Sequence, residues 1–97
     1  AEKLELATYA ERELSKMKDI EIVTPCQLSV VTFRGRGFSN EQNQKLLERI
    51  NARGRVFLSG TVLDGSFTIR ICVLSFRTHR TQIDWALEDI REALRNR

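Results

Sequence analysis

The chain has few of the residues that build metal and redox sites. Its 97 residues include one histidine, one proline, two cysteines and five glycines. Cys26 and Cys72 lie in separate strand-like runs, and no Cys-x-x-Cys motif is present. This pattern favours two buried thiols in a reducing cytoplasm over a disulfide or a redox pair. We therefore expect no metal site in this chain.

Long apolar runs are also lacking. The longest span only a few residues, far fewer than a membrane-crossing helix needs. No charged segment followed by an apolar one opens the sequence, so no secretory signal is visible. We expect a cytoplasmic protein without membrane contact. The start at Ala1 within a helical pattern, without a methionine, indicates a piece of a longer protein.

The composition is that of one ordinary globular domain, with 41% hydrophobic and 30% charged residues. The net charge of +3 is small for a protein that binds nucleic acid. Only Phe57 and Phe33 could stack on bases from a sheet surface. A nucleic-acid-binding module is therefore the weaker of the alternative functions.

Residues 56–70, VFLSGTVLDGSFTIR, are the most informative segment. Asp64-Gly65 between two alternating runs is a strong signal for a hairpin with a two-residue loop. Such a loop sets the register and predicts the pairs Leu63–Ser66, Val62–Phe67, Ser59–Arg70 and Leu58–Ile71. One face, called the apolar face here, then carries Val56, Leu58, Gly60, Val62, Phe67, Ile69, Ile71 and Val73. The opposite face, called the mixed face, carries Phe57, Ser59, Thr61, Ser66, Thr68, Arg70 and Cys72.

Three amphipathic helices are predicted, two before the hairpin and one after it. The first covers residues 2–18, with an apolar stripe of Leu6, Ala7, Ala10, Leu14 and Met17. In the second, Ser39 and Gln42 form a capping box, so the helix begins near Asn40 and ends before Gly54. Its stripe consists of Asn43, Leu46, Leu47 and Ile50. Thr78 or Thr81 caps the third, whose stripe is Ile83, Ala86, Leu87, Ile90 and Leu94. Trp85 is expected on the wet side of that helix, among Glu88, Asp89 and Glu92.

Residues 19–34 read as one bent strand that Pro25 interrupts. Because proline cannot donate to a sheet ladder, Pro25 requires an edge position or a bend. The order of helix, bent strand, helix, hairpin and helix predicts an α+β two-layer sandwich. We expect an antiparallel sheet of three to four strands with three helices on one face. The mixed face would stay uncovered, as a contact surface for another domain or chain.

No complete catalytic set is present. Arg34 and Arg36 around Gly35-x-Gly37 could cradle a phosphate, but a plain loop between strand and helix fits as well. His79 could act as a base or lie exposed in the first turn of the last helix. The four lysines, Lys3, Lys16, Lys18 and Lys45, all fall on polar helix faces, where a solvated role is expected.

Arg70 is the exception, because it is the one charged residue on the mixed face. A mid-strand arginine between Ile69 and Ile71 has to reach water or an anionic partner. Two roles stay open: membership of a structural ion pair, or contact with a ligand. A guanidinium suits the second role, since it can hold a carboxylate or phosphate in a two-pronged geometry.

Two stretches, CQLSVVTFRG and LLERINARGRVFLSGTVLDGSFTIRICVLSFRTHRTQIDWALEDI, closely resemble the C-terminal small domain of the group II pyridoxal-phosphate-dependent amino-acid decarboxylases. This family includes aromatic-amino-acid, histidine and glutamate decarboxylases. The resemblance spans roughly residues 20–92. Most of the matching positions are core and turn residues, which identify the family better than the substrate.

The resemblance implies that residues 1–97 form one small domain of a fold-type I enzyme. A large domain, absent here, would hold pyridoxal 5'-phosphate, so this chain would carry no catalytic or cofactor-binding residue and would be inactive alone. One functional residue carries over: Arg70, in FTIRICVL, matches the arginine that meets the substrate carboxylate in the glutamate enzymes. The expected partners are the large domain, a second subunit in a homodimer and an L-amino-acid substrate, with no nucleic acid and no membrane. A stand-alone small-ligand or protein-interaction domain is the main alternative.

Overall fold

A computed structural model describes residues 2–27, 30–72 and 80–95. Its elements are α1 (Glu2–Ser15), β1 (Ile20–Gln27), β2 (Val30–Gly35), α2 (Asn40–Ala52), β3 (Ser59–Leu63), β4 (Ser66–Cys72) and α3 (Arg80–Arg95). The strands form one antiparallel sheet in the order β1-β2-β4-β3. The predicted α+β architecture with three helices and an antiparallel sheet is confirmed.

The region predicted as one bent strand consists of two strands. β1 and β2 pair antiparallel, with Ile20 opposite Gly35 and Gln27 opposite Val30. Hydrophobic alternation runs on through both strands, so the pattern did not reveal the reversal between them. Pro25 lies in β1, which is an edge strand with register shifts on both sides of Thr24. The edge position expected for this proline is confirmed, because its missing N–H is tolerated there.

The hairpin of β3 and β4 has the predicted register. Leu63 pairs with Ser66 and Ser59 pairs with Arg70. Asp64 and Gly65 have φ values of 50° and 79°, as a two-residue loop with left-handed conformation at both positions requires. The expected pair of Leu58 with Ile71 falls just outside β3, which begins at Ser59.

The core lies between the apolar face and the helices. Its sheet members are Ile20, Val31, Phe33, Leu58, Ile69 and Ile71, and its helix members are Leu6, Ala7, Ala10, Leu14, Leu46, Ile50, Ile83, Leu87, Ile90 and Ala93. Gly60 lies on the apolar face: a Cβ added there would point at the ring of Phe67, another residue of that face, at 2.4 Å. Val62 departs from the prediction, since it is 62% exposed near the tip of the hairpin.

The helix boundaries agree largely with the sequence signals. The capping box of Ser39 and Gln42 is present, and Gly54 follows α2 with a φ of 78°. Thr81 lies inside α3, which begins at Arg80, so it is not the cap; Thr78 lies outside the described residues. Asp89 contradicts the expected wet side of α3, because it is fully buried.

The mixed face is less open than predicted. Phe57 is 87% exposed, but Thr68 and Thr32 in the two central strands are 0% and 7% exposed. Short threonine side chains lie low on a central strand, where longer neighbours such as Arg70, opposite Thr32, can shield them. The burial of these two threonines was not predicted from the sequence.

Candidate functional site

Arg70 lies in the middle of β4, between Ser59 on β3 and Thr32 on β2. Its side chain is half-buried, and its Nε donates a hydrogen bond to Ser59 Oγ over 3.3 Å. The central position in the sheet fixes the direction of the side chain, because both neighbouring strands hold the β4 backbone. The guanidinium is therefore presented on the mixed face.

No carboxylate of the described residues forms an ion pair with Arg70. The sequence left two roles open for Arg70, a structural ion pair and a ligand contact. The described residues provide no carboxylate for the first of these roles. A half-buried guanidinium that no described carboxylate neutralises retains strong donors for a ligand carboxylate.

Arg34 and Arg36, which could have cradled a phosphate at Gly35-x-Gly37, donate hydrogen bonds to backbone carbonyls instead. Arg34 Nη2 donates to the carbonyl of Phe38 over 2.7 Å. Arg36 donates from Nε to the carbonyl of Lys18 and from Nη2 to that of Ile20. These bonds connect the loop to its surroundings, and this arrangement favours the plain-loop interpretation.

The other sequence candidates do not converge on a site. Lys16, Lys18 and Lys45 are exposed, whereas His79 and the side chains of Lys3, Cys26 and Cys72 lie outside the described parts. Phe33, a candidate for base stacking, is buried in the core. Within residues 2–27, 30–72 and 80–95, no group of His, Cys, Asp and Glu could hold a metal ion. No helix in these ranges has the length and apolar character to cross a membrane.

An ion cluster around the buried carboxylate of Asp89, between α3 and the loop after α2, was not predicted from the sequence. Asp89 Oδ1 accepts bonds of 2.6 Å from Arg53 Nε and from Arg55 Nη2. Burial alone raises the pKa of Asp89, but the hydrogen bonds from Arg55 and Arg53 outweigh it and bring that pKa below its ordinary value. The sequence held one sign of this burial. Ala86 and Ala93 lie three residues before and four residues after Asp89 on the same helix face, and their small side chains let a neighbouring segment of the chain approach.

The cluster also holds the loop between α2 and β3 in place. Arg55 lies over the ring of Trp85, 5.8 Å from its centroid. A few residues on, the backbone N–H and C=O of Leu58 both bond to the side chain of Asn51, over 2.8 and 3.0 Å. The loop that leads to Ser59 is thereby attached to both α2 and α3.

Asp89→Asn is expected to destabilise the chain by about 2 kcal/mol or more at pH 7, because two arginines would then face a neutral amide. The carboxylate, with its lowered pKa, stabilises the fold above its ordinary pKa of 3.8, and this stabilisation is lost as the pH falls through the folded-state pKa. Denaturation at a series of pH values should therefore show a shallower acid limb in the variant. Glu88→Gln, at an exposed partner of Arg55, serves as the control and should change little. An unchanged acid limb in Asp89→Asn would contradict the assignment.

No family model matches this chain. An aromatic-L-amino-acid decarboxylase of Bacillus atrophaeus is 42% identical over 80 residues, which are 75% of this chain and 17% of that protein. The chain thus spans about one sixth of the length of this relative.

Solved structures give the same result. Catharanthus roseus tryptophan decarboxylase, in complex with L-tryptophan, matches 97% of this chain and 21% of its own with 27% identity and a TM-score of 0.89. Oryza sativa TDC with PLP and tryptamine matches 97% of this chain and 22% of its own with a TM-score of 0.89, and its 24% identity shows a shared fold. These matches fit a C-terminal fragment of the group II pyridoxal-phosphate-dependent amino-acid decarboxylases.

Proposed function

We propose that this chain is the C-terminal small domain of a pyridoxal-phosphate-dependent L-amino-acid decarboxylase of the aromatic type, and that Arg70 binds the substrate carboxylate. The observation that carries the proposal is the position of Arg70. It lies half-buried on the mixed face and has no anionic partner among the described residues. The aromatic type is supported by relatives that are aromatic-L-amino-acid and tryptophan decarboxylases.

The cofactor, in this proposal, is held by the large domain of the same polypeptide. The lysines with described side chains support this division, because all three are exposed and none lies in an apolar pocket. The large domain would cover the mixed face and the exposed ring of Phe57. The complete protein would be a cytoplasmic homodimer.

When bound, pyridoxal phosphate supplies the electron sink for the electron pair that remains after CO₂ departs. Arg70 would contribute orientation: its guanidinium would hold the carboxylate by two parallel, charge-assisted hydrogen bonds. These bonds exist before CO₂ leaves and weaken as the carboxylate loses its charge. The contribution of Arg70 is therefore expected mainly in substrate binding, which appears in KM rather than in kcat.

The division of roles is tested by adding pyridoxal phosphate to this chain and then reducing with borohydride. We expect no stoichiometric adduct on any one lysine and no decarboxylation of aromatic amino acids, because Lys16, Lys18 and Lys45 are exposed. The full-length protein treated in the same way should give one adduct, on a lysine outside residues 1–97. A stoichiometric adduct on Lys3, Lys16, Lys18 or Lys45 would contradict the proposal.

A further inference from the structure

Among the described residues, the guanidinium of Arg70 is held at one of its three nitrogens. Nε donates to Ser59 Oγ, and no partner of Nη1 or Nη2 is found among the described residues. Ser59 lies directly opposite Arg70 in the ladder of β3 and β4. The two side chains therefore meet across neighbouring strands, where side-chain pairs of a sheet interact.

A bond at Nε leaves a particular edge of the guanidinium available. A carboxylate can bind an arginine through Nε and one Nη, or through the two Nη atoms. Because Ser59 occupies Nε, the edge formed by Nη1 and Nη2 is the one that the described residues leave free for a two-pronged contact. Ser59 thus determines which edge of Arg70 faces a ligand.

The position of Ser59 is itself well defined. It follows Leu58, whose backbone N–H and C=O are both bonded to Asn51, and it opens β3. The nearby hydroxyl of Thr68 is already used, since it donates to the carbonyl of Ser66 over 3.2 Å. An arginine side chain loses much rotamer freedom when it is ordered, so a partner that orders it before the ligand arrives increases affinity.

We propose that Ser59 is a positioning residue that orients Arg70 for end-on binding of the substrate carboxylate through Nη1 and Nη2. This inference rests on the proposed function of Arg70 and adds a second residue to that site. It assigns the ligand contact to one edge of the guanidinium. The chemistry of the ligand is that of a planar carboxylate, whose two oxygens match the two Nη atoms.

The test uses steady-state kinetics of the full-length protein with an aromatic L-amino acid. Ser59→Ala is expected to raise KM by about tenfold, the usual size for a lost hydrogen bond to a charged group, with little change in kcat. Ser59→Thr keeps the hydroxyl, so its KM should equal the wild-type value. Ser59→Cys, which keeps the size but weakens the acceptor, should lie between the two. Thr61→Val is the matched control on the same strand and face, and its KM should stay at the wild-type value.

A double-mutant cycle distinguishes positioning from a general structural effect. In an Arg70→Met background, Ser59→Ala should have no further effect on KM, because no guanidinium is left to orient. Equal KM values for Ser59→Ala and wild type, or the same increase in both backgrounds, would overturn the inference. If Arg70→Met itself leaves kcat/KM unchanged, the proposed function fails as well. A large effect of Arg70→Met beside an inert Ser59→Ala overturns the positioning role alone.

Discussion

Arg70→Met in the full-length protein is expected to lower kcat/KM by about 10²-fold, which corresponds to roughly 2.7 kcal/mol of lost transition-state stabilisation. Methionine keeps most of the length of the side chain but removes every donor. The loss should appear largely as an increase in KM, measured by initial rates over a range of amino-acid concentrations. The affinity for pyridoxal phosphate, measured by cofactor titration, should change little, because its contacts are proposed to lie in the large domain.

Two control variants narrow the interpretation of this result. Arg70→Lys keeps the charge without the two-pronged geometry, so its kcat/KM should lie between those of Arg70→Met and wild type. Arg95→Met removes an arginine from the exposed side of α3, where it pairs with Glu92, and should leave kcat/KM within about twofold.

The same substitution separates a ligand contact from a structural role. In the chain of residues 1–97, Arg70→Met should change the free energy of unfolding by no more than about 1 kcal/mol, since no described carboxylate pairs with it. Intact turnover of the full-length variant, together with unfolding of the short chain, would assign Arg70 to structure and contradict the proposed site.

The hairpin was predictable because its determinants are local. Asp64-Gly65 and strict alternation specify the loop, the register and the face of every residue. The juxtaposition of Arg70 with Ser59 followed from that register. The sequence alone could not decide whether an anion lies beside Arg70, because that depends on contacts between distant segments.

Two other features were missed. The pairing of β1 with β2 needs a reversal between Gln27 and Val30, and alternation is the same with or without it. Asp89 is buried because Arg53 and Arg55, 36 and 34 residues away, reach it from another element. Its polarity alone assigned Asp89 to the wet side, because the sequence does not show which distant arginines reach it.

Ile71→Ala is expected to destabilise the chain by about 2–5 kcal/mol, the usual cost of removing a large aliphatic side chain from a core. Ile71 is 3% exposed and lies opposite Val31 in the centre of the sheet. Leu58→Ala, at a position that is 7% exposed, should give a loss in the same range. Chemical denaturation of residues 1–97, followed by circular dichroism, gives the free energies of unfolding.

Thr61→Ala is the matched control for these losses. Thr61 lies in β3 on the mixed face, opposite Thr68, so its side chain points away from the helices. Its replacement should cost well under half as much as that of Ile71, because it leaves no cavity in the core. Leu58 and Thr61 are close in sequence but lie on opposite faces of the hairpin. A difference between the unfolding free energies of their alanine variants therefore reports the face and not the strand. Equal losses for Ile71→Ala and Thr61→Ala would mean that the mixed face is packed as tightly as the apolar one, and that Arg70 stands in a second core rather than on a surface that receives a ligand.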